Sequence, residues 1–274
     1  MEPNLLRRTV SGVLEEALSS ASGDLYVVDP ARDTLEDLVS VMSEMESESP
    51  SVKLLATDRV LKDVMDDFLV ASRAADLIDG GSMELRSYEG DENTLVVTDE
   101  TVLAVVRAGD HVAGLGTDDE EFVASANDRY DEVWDGAEPF ALRTPAISRV
   151  RRSLQTDLGE TTANDFESVL NSLETARGDG DGLDEVTISL LVAAKNNELL
   201  YDISKWGEDV GIASKATFSR TKTRLEELGL VDTEKVPIDV GRPRLRLMLG
   251  DDRLRDADTA ELSSVAQSVL AQGS

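Results

Sequence analysis

The feature that most constrains the fold is the order of secondary-structure elements that the sequence predicts between residues 183 and 249. Apolar residues recur at helical spacing in three consecutive segments, and two shorter segments of extended character follow them. The predicted helices and strands are 183–191, 201–210, 215–228, 231–236 and 243–249. Three helices followed by a two-stranded hairpin are the order of a winged helix-turn-helix, and the sequence predicts that fold over residues 183–250.

Local signals set the limits of the third helix. The hydroxyl of Ser214 can accept a free amide hydrogen of the first turn, and Gly229 can adopt the left-handed conformation that ends a helix. Between them, Phe218, Leu225 and Leu228 recur at spacings of seven and three residues, which places them on one stripe. We expect this stripe to face the core of the domain.

The rest of this helix is rich in hydroxyl and cationic side chains, and arginines also flank the predicted tip of the wing. Arginine and lysine bind guanine edges or phosphates, and serine and threonine bind either. We therefore predict a DNA-binding surface in which the helix lies in the major groove and the wing contacts backbone phosphate. Its residues are Ser214, Lys215, Thr217, Ser219, Arg220, Lys222, Thr223, Arg242 and Arg244.

The distribution of charge supports this interpretation over a basic face on an ordinary small α+β domain. The whole chain has 27 basic and 56 acidic residues, whereas residues 213–246 contain eight basic and five acidic ones. The segment expected to face DNA therefore has a positive net charge, unlike the chain as a whole. A second hypothesis stays open, namely an adaptor whose winged helix docks another regulator instead of DNA.

The acidic charge, a net of −29 over 274 residues, is spread through the chain and is not confined to a tail. A uniformly acidic surface with few lysines is typical of a protein that stays soluble in very high salt, where its self-repulsion is screened. We therefore expect a halophilic protein. Because counterion release contributes little in molar salt, base contacts and apolar fit must supply more of any affinity for DNA.

Composition also narrows the chemistry that the chain can perform. It has no cysteine, which excludes disulfides and thiolate metal sites, and its single histidine, His111, removes most zinc and catalytic-triad chemistry. We expect no enzymatic activity, no catalytic residues, no cofactor and no bound metal. The sequence has no apolar run of 18 or more residues, and Glu15 and Glu16 interrupt the segment that could suggest an export signal. We therefore expect a cytoplasmic protein without a membrane partner.

Residues 1–143 predict a mixed α/β domain. Strands are predicted at 25–30, 52–56, 83–88, 94–98, 102–108 and 111–115. Helices are predicted at 5–20, 35–45, 60–78 and 117–134, the last opened by a capping box of Thr117 and Glu120. Alternating strands and helices followed by a run of strands imply a sheet with a parallel part and an antiparallel edge, which is a common shape of small-molecule sensors.

Four cations of this acidic region lie at predicted element ends among apolar residues, where they could clamp an anionic metabolite. They are Lys53, Arg73, Arg86 and Arg143. We predict that these four form the ligand site of a metabolite-responsive domain. The alternative is that each of them forms a salt bridge to one of the abundant carboxylates.

Two further helices, 145–158 and 164–173, are expected to dimerise the protein or to couple its domains, and they define a helical region over residues 144–182. Gly178 to Gly182 predicts a flexible linker. The tail over residues 251–274 contains one more amphipathic helix, predicted at 256–272. Because pseudo-palindromic operators need a two-fold protein, we expect a homodimer.

The chain resembles the haloarchaeal transcriptional regulator TbsP family over its whole length. The segments that carry the resemblance are Leu25 to Pro30, Asp67 to Ser72, Phe140 to Pro145 and the C-terminal winged helix. It implies a transcription factor that controls sugar metabolism alongside TrmB-type regulators. The N-terminal region looks distantly like the TrmB sensor, a phospholipase-D-like shape without its catalytic His and Lys pair, which implies sensing and not cleavage. The domain order differs from that of TrmB proteins, whose DNA-binding unit comes first.

Overall fold

The structure is a computed structural model of the chain, and it describes residues 4–7, 9–21, 23–45, 50–90, 93–109, 111–175, 183–239 and 241–272. The chain forms two compact units, residues 1–146 and 147–274. The helices predicted within 145–173 belong to the second unit, together with the winged helix. The linker predicted at Gly178 to Gly182 lies outside the described residues.

The described part of the first unit is built on an eight-stranded mixed sheet. Its strands are β1 (Asn4–Arg7), β2 (Leu25–Val28), β3 (Val52–Ala56), β4 (Met83–Ser87), β5 (Leu95–Val97), β6 (Val102–Ala108), β7 (His111–Thr117) and β8 (Glu138–Pro139). They lie in the order β1-β7-β6-β5-β2-β3-β4-β8, in which β2, β3 and β4 run parallel and the other neighbours are antiparallel. The predicted fold class, a mixed sheet with a parallel part and an antiparallel edge, is confirmed.

Helices pack on both faces of this sheet. In the described residues they are α1 (Val10–Ser20), α2 (Arg32–Glu44), α3 (Asp58–Met65), α4 (Phe68–Asp79) and α5 (Glu120–Gly136). Successive residues of a strand point to opposite faces. Leu25 and Val27 of β2 therefore share a core with α1 to α4, whereas Tyr26 and Val28 share a core with α5.

The helix predicted over 5–20 is wrong at its start. Asn4–Arg7 is a strand that pairs antiparallel with β7, and the helix begins at Val10. The hydroxyl of Thr9 caps it by accepting a hydrogen bond from Gly12 N at 3.2 Å. Over four residues a helical and an extended pattern cannot be separated by periodicity, and the pairing with a distant strand decides the outcome.

Two other helix predictions in this unit are wrong because an aspartate caps a helix where periodicity does not show one. The single helix predicted over 60–78 is divided, since Asp67 Oδ1 accepts hydrogen bonds from Leu69 N at 2.9 Å and Val70 N at 3.1 Å and so begins α4. The predicted capping box at Thr117 is replaced by Asp119, which accepts from Phe122 N at 3.0 Å. A short side chain that accepts free amide hydrogens starts a helix.

The second unit contains the predicted winged helix and the helices that flank it. Its described elements are α6 (Ile147–Leu158), α7 (Glu160–Thr175), α8 (Glu185–Lys195), α9 (Leu200–Val210), α10 (Lys215–Glu227), β9 (Val231–Val236), β10 (Arg244–Leu249), α11 (Asp252–Asp256), a 3-10 turn (Thr259–Glu261) and α12 (Leu262–Gln272). The three helices and two strands predicted for the winged helix are present in the predicted order.

Helices α6 and α7 share one core with α9. Trp206 of α9 is almost fully buried, its Nε1 donates to Ser153 Oγ of α6 at 2.9 Å, and its ring lies edge-on to Phe166 of α7 with centroids 6.2 Å apart. A buried indole N–H needs such an acceptor. The apolar stripes of both helices, which include Val150 and Leu170, are buried.

Asp165 of α7 ties the C-terminal segment to the same unit. Its carboxylate accepts hydrogen bonds from Lys195 Nζ at 2.9 Å, Asn196 Nδ2 at 2.8 Å and Thr259 Oγ1 at 2.9 Å. Thr259 lies in the 3-10 turn that separates α11 from α12. The single helix predicted over 256–272 is therefore wrong, because the chain leaves the helical path to reach Asp165.

The stability of the second unit should depend on the ionised form of Asp165. Burial raises the pKa of this carboxyl, but the three hydrogen bonds and the Lys195 charge outweigh burial and hold the pKa below the ordinary aspartate value. Because the folded-state pKa is lowered, this contribution is complete above the ordinary pKa and is lost as pH falls through the folded value. We expect Asp165→Asn to flatten the acid side of the thermal stability profile. Asp256→Asn, at an exposed position, is the control and should leave that profile unchanged.

Candidate nucleic-acid interface

Helix α10 begins and ends where the sequence predicts. Ser214 is the N-cap, and its Oγ accepts from Thr217 N at 3.2 Å. The chain leaves the helix through Gly229, whose φ is 72°. Before the helix, Gly211 closes α9 with a φ of 97°. Glycine adopts this left-handed backbone without the strain of a Cβ atom, so both turns are encoded by residue type.

Close packing of α9 against α10 depends on a glycine. The Phe218 ring of α10 is fully buried and lies over Gly207 of α9, where an added Cβ would come within 2.3 Å of the ring. Leu225, seven residues along α10, is buried as well, and Leu228 is half-buried. The predicted apolar stripe therefore faces the core and fixes which side of α10 points outward.

The outward side of α10 carries most of the residues that the sequence analysis proposes for DNA. Ser214, Lys215, Ser219, Arg220 and Thr223 are exposed, and Thr217 is half-buried.

Lys222 does not point outward, and this expectation is wrong. Its side chain is only 11% exposed, and its Nζ lies 2.8 Å from Glu226 Oε2, one turn along the helix. Glu226 also accepts a hydrogen bond from Thr233 Oγ1 of β9 at 2.8 Å. The lysine is therefore held against the wing by a carboxylate that is itself fixed there.

The wing is the antiparallel pair β9 and β10, in register from Val231 opposite Leu249 to Val236 opposite Arg244. Arg242 is exposed in the turn between the strands. The Arg244 guanidinium lies over the Tyr201 ring of α9, 4.4 Å from its centroid, and Nη1 is 3.5 Å from Asp202 Oδ1. Arg244 therefore fastens the wing to α9 in addition to any role toward DNA.

Ion pairing divides the eight cations between residues 213 and 246 into two groups. Four pair with a carboxylate of the same unit, at 2.5 Å for Lys215, 2.8 Å for Lys222, 3.5 Å for Arg244 and 3.4 Å for Arg246. The other four have no ion pair with any residue that the structure describes. These are Arg220, Arg224, Lys235 and Arg242.

Unpaired cations are informative in a chain with 56 acidic and 27 basic residues. A cation that meets a carboxylate loses much of its field, whereas one that does not keeps its charge available for an anionic partner. The four unpaired cations lie on α10 and the wing, so these two elements carry cationic groups that are not ion-paired with any described carboxylate. Duplex DNA is the polyanion whose groove admits a helix of this kind.

Two of these cations, Arg224 and Lys235, are missing from the predicted site. Arg224 lies one helical turn after Arg220, and both are exposed. The spacing of four residues alone would have indicated a shared face. The signal for Lys235 is weaker, because its exposure depends on how the wing packs and its nearest sequence neighbour is the acidic Glu234.

The structure brings together two of the four cations proposed for a ligand site in the first unit. Lys53 Nζ of β3 lies 6.0 Å from the centroid of the Trp134 ring, and the Arg86 guanidinium of β4 lies 4.5 Å from the same ring. Arg73 is not part of this cluster, because α4 packs on the opposite face of the sheet. Arg143 is exposed in the segment after β8.

The Lys53 and Arg86 cluster also contains a polar chain. Lys53 Nζ donates to Tyr26 Oη at 3.5 Å, and Tyr26 Oη donates to Asp131 Oδ1 of α5 at 2.5 Å. Burial raises the pKa of the Tyr26 phenol far above its usual value, and the hydrogen bond to Asp131 adds to the effect. The phenol therefore stays protonated and fixes the lysine between two aromatic rings, 5.2 Å from that of Tyr26.

Neither a membrane span nor a metal centre is found in the described part of the chain. No helix there is both long and apolar enough to cross a bilayer, and no group of three or more His, Cys, Asp or Glu side chains could hold a metal ion.

Two family models match the chain, one on each side of the boundary between the units. A model described as "Transcriptional regulator TbsP-like, N-terminal" matches residues 2–145, and one described as "Transcriptional regulator TbsP-like, C-terminal HTH domain" matches residues 146–267. A search of curated proteins finds no match.

Solved structures that align with part of the chain include TrmBL2, described as an archaeal chromatin protein, at 17% identity and a TM-score of 0.36. That alignment covers 51% of this chain and 54% of TrmBL2, so the chain spans about half the length of that relative. Nuc, a phospholipase D family member from Salmonella typhimurium, aligns at 12% identity and a TM-score of 0.34, over 50% of this chain and 98% of Nuc. NucT from Helicobacter pylori aligns at 14% identity and a TM-score of 0.34, over 50% of this chain and 98% of NucT.

Proposed function

This chain belongs to the TbsP-like family of transcriptional regulators, and from that premise we propose that it binds promoter DNA sequence-specifically through α10 and the wing. The observation that carries the proposal is the set of four unpaired cations on these two elements, in a chain where acidic residues are twice as abundant as basic ones. A surface that keeps its cations free of carboxylates is suited to meet phosphates and base edges.

The two elements take different roles in this proposal. On α10, Ser219, Arg220, Thr223 and Arg224 are exposed and chemically able to bond base edges in the major groove. On the wing, Lys235 and Arg242 are point contacts for backbone phosphate, which position the protein without reading sequence. Glu208 accepts hydrogen bonds from both the ammonium group and the backbone N–H of Lys215. Lys215 can therefore contact DNA only if its ammonium group leaves Glu208.

The first unit is proposed to respond to an anionic metabolite, and the controlled genes are proposed to be metabolic. Lys53 and Arg86 support the ligand proposal, since neither has an ion pair among the described residues and both flank one aromatic ring. The net charge of −29 supports an origin in high salt. In that medium phosphate contacts contribute less, so the hydroxyls and arginines of α10 must supply more of the affinity.

Selection from a pool of random duplexes tests the DNA proposal with the purified chain alone. A sequence-specific regulator should enrich one motif. An adaptor that docks another regulator should enrich none, and this alternative has an observation in its favour, because Tyr201 on α9 and Ile238 near the wing tip are large exposed apolar side chains. Enrichment of a motif would contradict the adaptor hypothesis. The absence of any enriched motif would contradict the hypothesis that this protein binds DNA sequence-specifically by itself.

Neutralising the wing should weaken binding equally for all sequences. In the double substitution Lys235→Gln and Arg242→Gln, two phosphate contacts are lost, so the slope of log affinity against log salt should become shallower by roughly two. Arg59→Gln removes an exposed charge from α3 of the first unit and is the control. Titrations at several salt concentrations measure the slope, and a loss confined to one base position would contradict the phosphate role.

A further inference from the structure

Part of the sheet of the first unit lies open on the side that carries α5. Val106 of β6 and Leu115 of β7 are 40% and 48% exposed, which is unusual for large apolar residues in the middle of paired strands. Strand alternation places both on this side. Val102, four residues before Val106, packs in the core under α5, and Leu115 lies opposite Ala104 in the register of β6 and β7.

Helix α5 leaves this region open because it covers the other part of the sheet. Its buried residues Val123, Tyr130 and Trp134 share a core with side chains of β2, β3, β5 and the first residue of β6. Beyond that core the α5 side of β6 and β7 carries Ala104, Val106, Ala108, His111, Ala113, Leu115 and Thr117, which we call the open strand face. The backbone of β1 pairs with β7 and continues the sheet to its edge.

The open strand face has no acidic and no basic side chain other than His111, in a chain where 30% of residues are charged. The opposite side of the same strands is different. There Arg107 forms an ion pair with Asp33 of α2, and its Nη2 donates to Thr34 Oγ1 at 3.1 Å. Absence of charge is therefore a property of one side of these two strands and not of the strands as a whole.

Charge decides which partner such a surface can meet. Two copies of a chain with a net charge of −29 repel each other wherever acidic surfaces approach. The seven positions of the open strand face carry no acidic side chain, so two copies of this face can meet without like-charge contact between these positions. The exposed acidic residues Asp118 and Asp119 follow Thr117 at one end of β7. A two-fold interface brings one patch onto itself, which is the arrangement that a neutral, self-complementary face allows.

We propose that the open strand face is the surface through which two copies of this chain associate. The inference rests on the proposed DNA-binding function, for which the sequence analysis expects a homodimer, and it names the surface that joins the two subunits. The helical pair of the second unit is less suited to this role, because its apolar residues Val150, Leu154, Phe166 and Leu170 are all buried within that unit. A further dimer contact through them would need those helices to open.

The size of the face indicates a dimer that dissociates on dilution. Strands of seven residues span roughly 23 Å, and two neighbouring strands are about 10 Å wide. A standard interface buries roughly 800 Å² on each partner, several times this area. Association is therefore expected to be concentration-dependent in free protein and to be strengthened when two half-sites on one DNA hold both copies together.

Sedimentation velocity over a dilution series of the full chain tests the proposal without DNA. The wild type should shift from monomer toward twice 29.7 kDa as concentration rises. Leu115→Glu, which adds an acidic side chain to the open strand face of each copy, should raise the dimer dissociation constant by roughly a hundredfold. Ala124→Glu adds the same charge at an exposed position of α5 and should leave it unchanged.

Folding and DNA binding are separated from association by two further measurements. If Leu115→Glu melts early, Val106→Thr keeps the strand neutral and should still weaken the dimer several-fold. A wild type that stays monomeric at every concentration, or a dimer that both variants leave intact, overturns the proposal. Binding to a single half-site should survive Leu115→Glu. A wild-type protein that dimerises but binds no DNA would contradict the proposed function and would leave the proposed dimer surface supported.

Discussion

Substituting Arg220→Ala should remove the preference of this protein for one DNA sequence while leaving its fold intact. Arg220 is exposed on α10, has no ion pair with a described residue, and donates from Nη2 to Thr217 Oγ1 at 3.3 Å. Thr217 Oγ1 in turn lies 3.1 Å from Ser214 Oγ at the start of the helix. The guanidinium is thus oriented before DNA arrives, which lowers the entropy lost when it binds.

The expected loss is about 1–3 kcal/mol, or roughly fivefold to 150-fold, at the preferred site, because a bidentate arginine contact to guanine discriminates by that amount. Affinity for unrelated duplex should fall much less. Arg220→Lys keeps the charge but not the planar fork, and it should lose specificity while keeping non-specific binding. Arg59→Ala in the first unit is the matched control. Unchanged footprints for Arg220→Ala would contradict the assignment of α10 as the reading helix.

The parts of this site that the sequence predicts are those encoded by neighbouring residues. The cap at Ser214, the glycine turn after α10 and the strand β9 each depend on residues a few positions apart, and all three are present. Arg224 is missing from the predicted site, although its spacing from Arg220 is enough to place it on the outward face.

The parts that the sequence does not predict depend on contacts between distant residues. Lys222 is an exception, because its partner Glu226 is only four residues along the helix and this spacing indicates the ion pair, whereas the hydrogen bond from Thr233 to Glu226 depends on how the wing packs. Trp206 carries no sign of its bond to Ser153, more than fifty residues earlier, although that bond joins α6 to the winged helix. The contact between Lys53 and the Trp134 ring likewise joins residues far apart in the sequence, because Trp134 lies on α5, which follows β7. Contacts between residues so far apart in the sequence produce no periodic pattern from which they could be predicted.

Substituting Gly207→Ala should destabilise the second unit and weaken DNA binding together. The new Cβ would lie 2.3 Å from the Phe218 ring, closer than real atoms approach, so α9 and α10 would have to separate or the ring would have to move. Overpacking of this kind costs about 1–3 kcal/mol. Alanine is also the better helix former by up to about 1 kcal/mol, so any loss of stability comes from the contact and not from the backbone. Thermal and urea unfolding measure the change.

Two companion variants show whether the contact with Phe218 is the cause. Gly136→Ala lies at the end of α5, where an added Cβ meets nothing within 4 Å, and it should be neutral or slightly stabilising. Phe218→Leu removes the far edge of the ring and makes room for the new methyl group. In the double variant Gly207→Ala with Phe218→Leu, the combined loss should be smaller than the sum of the two single losses, because residues in contact are coupled. Strict additivity would instead mean that Gly207 acts through the backbone of α9, and the recovery of specific DNA binding in the double variant separates the two explanations independently of stability.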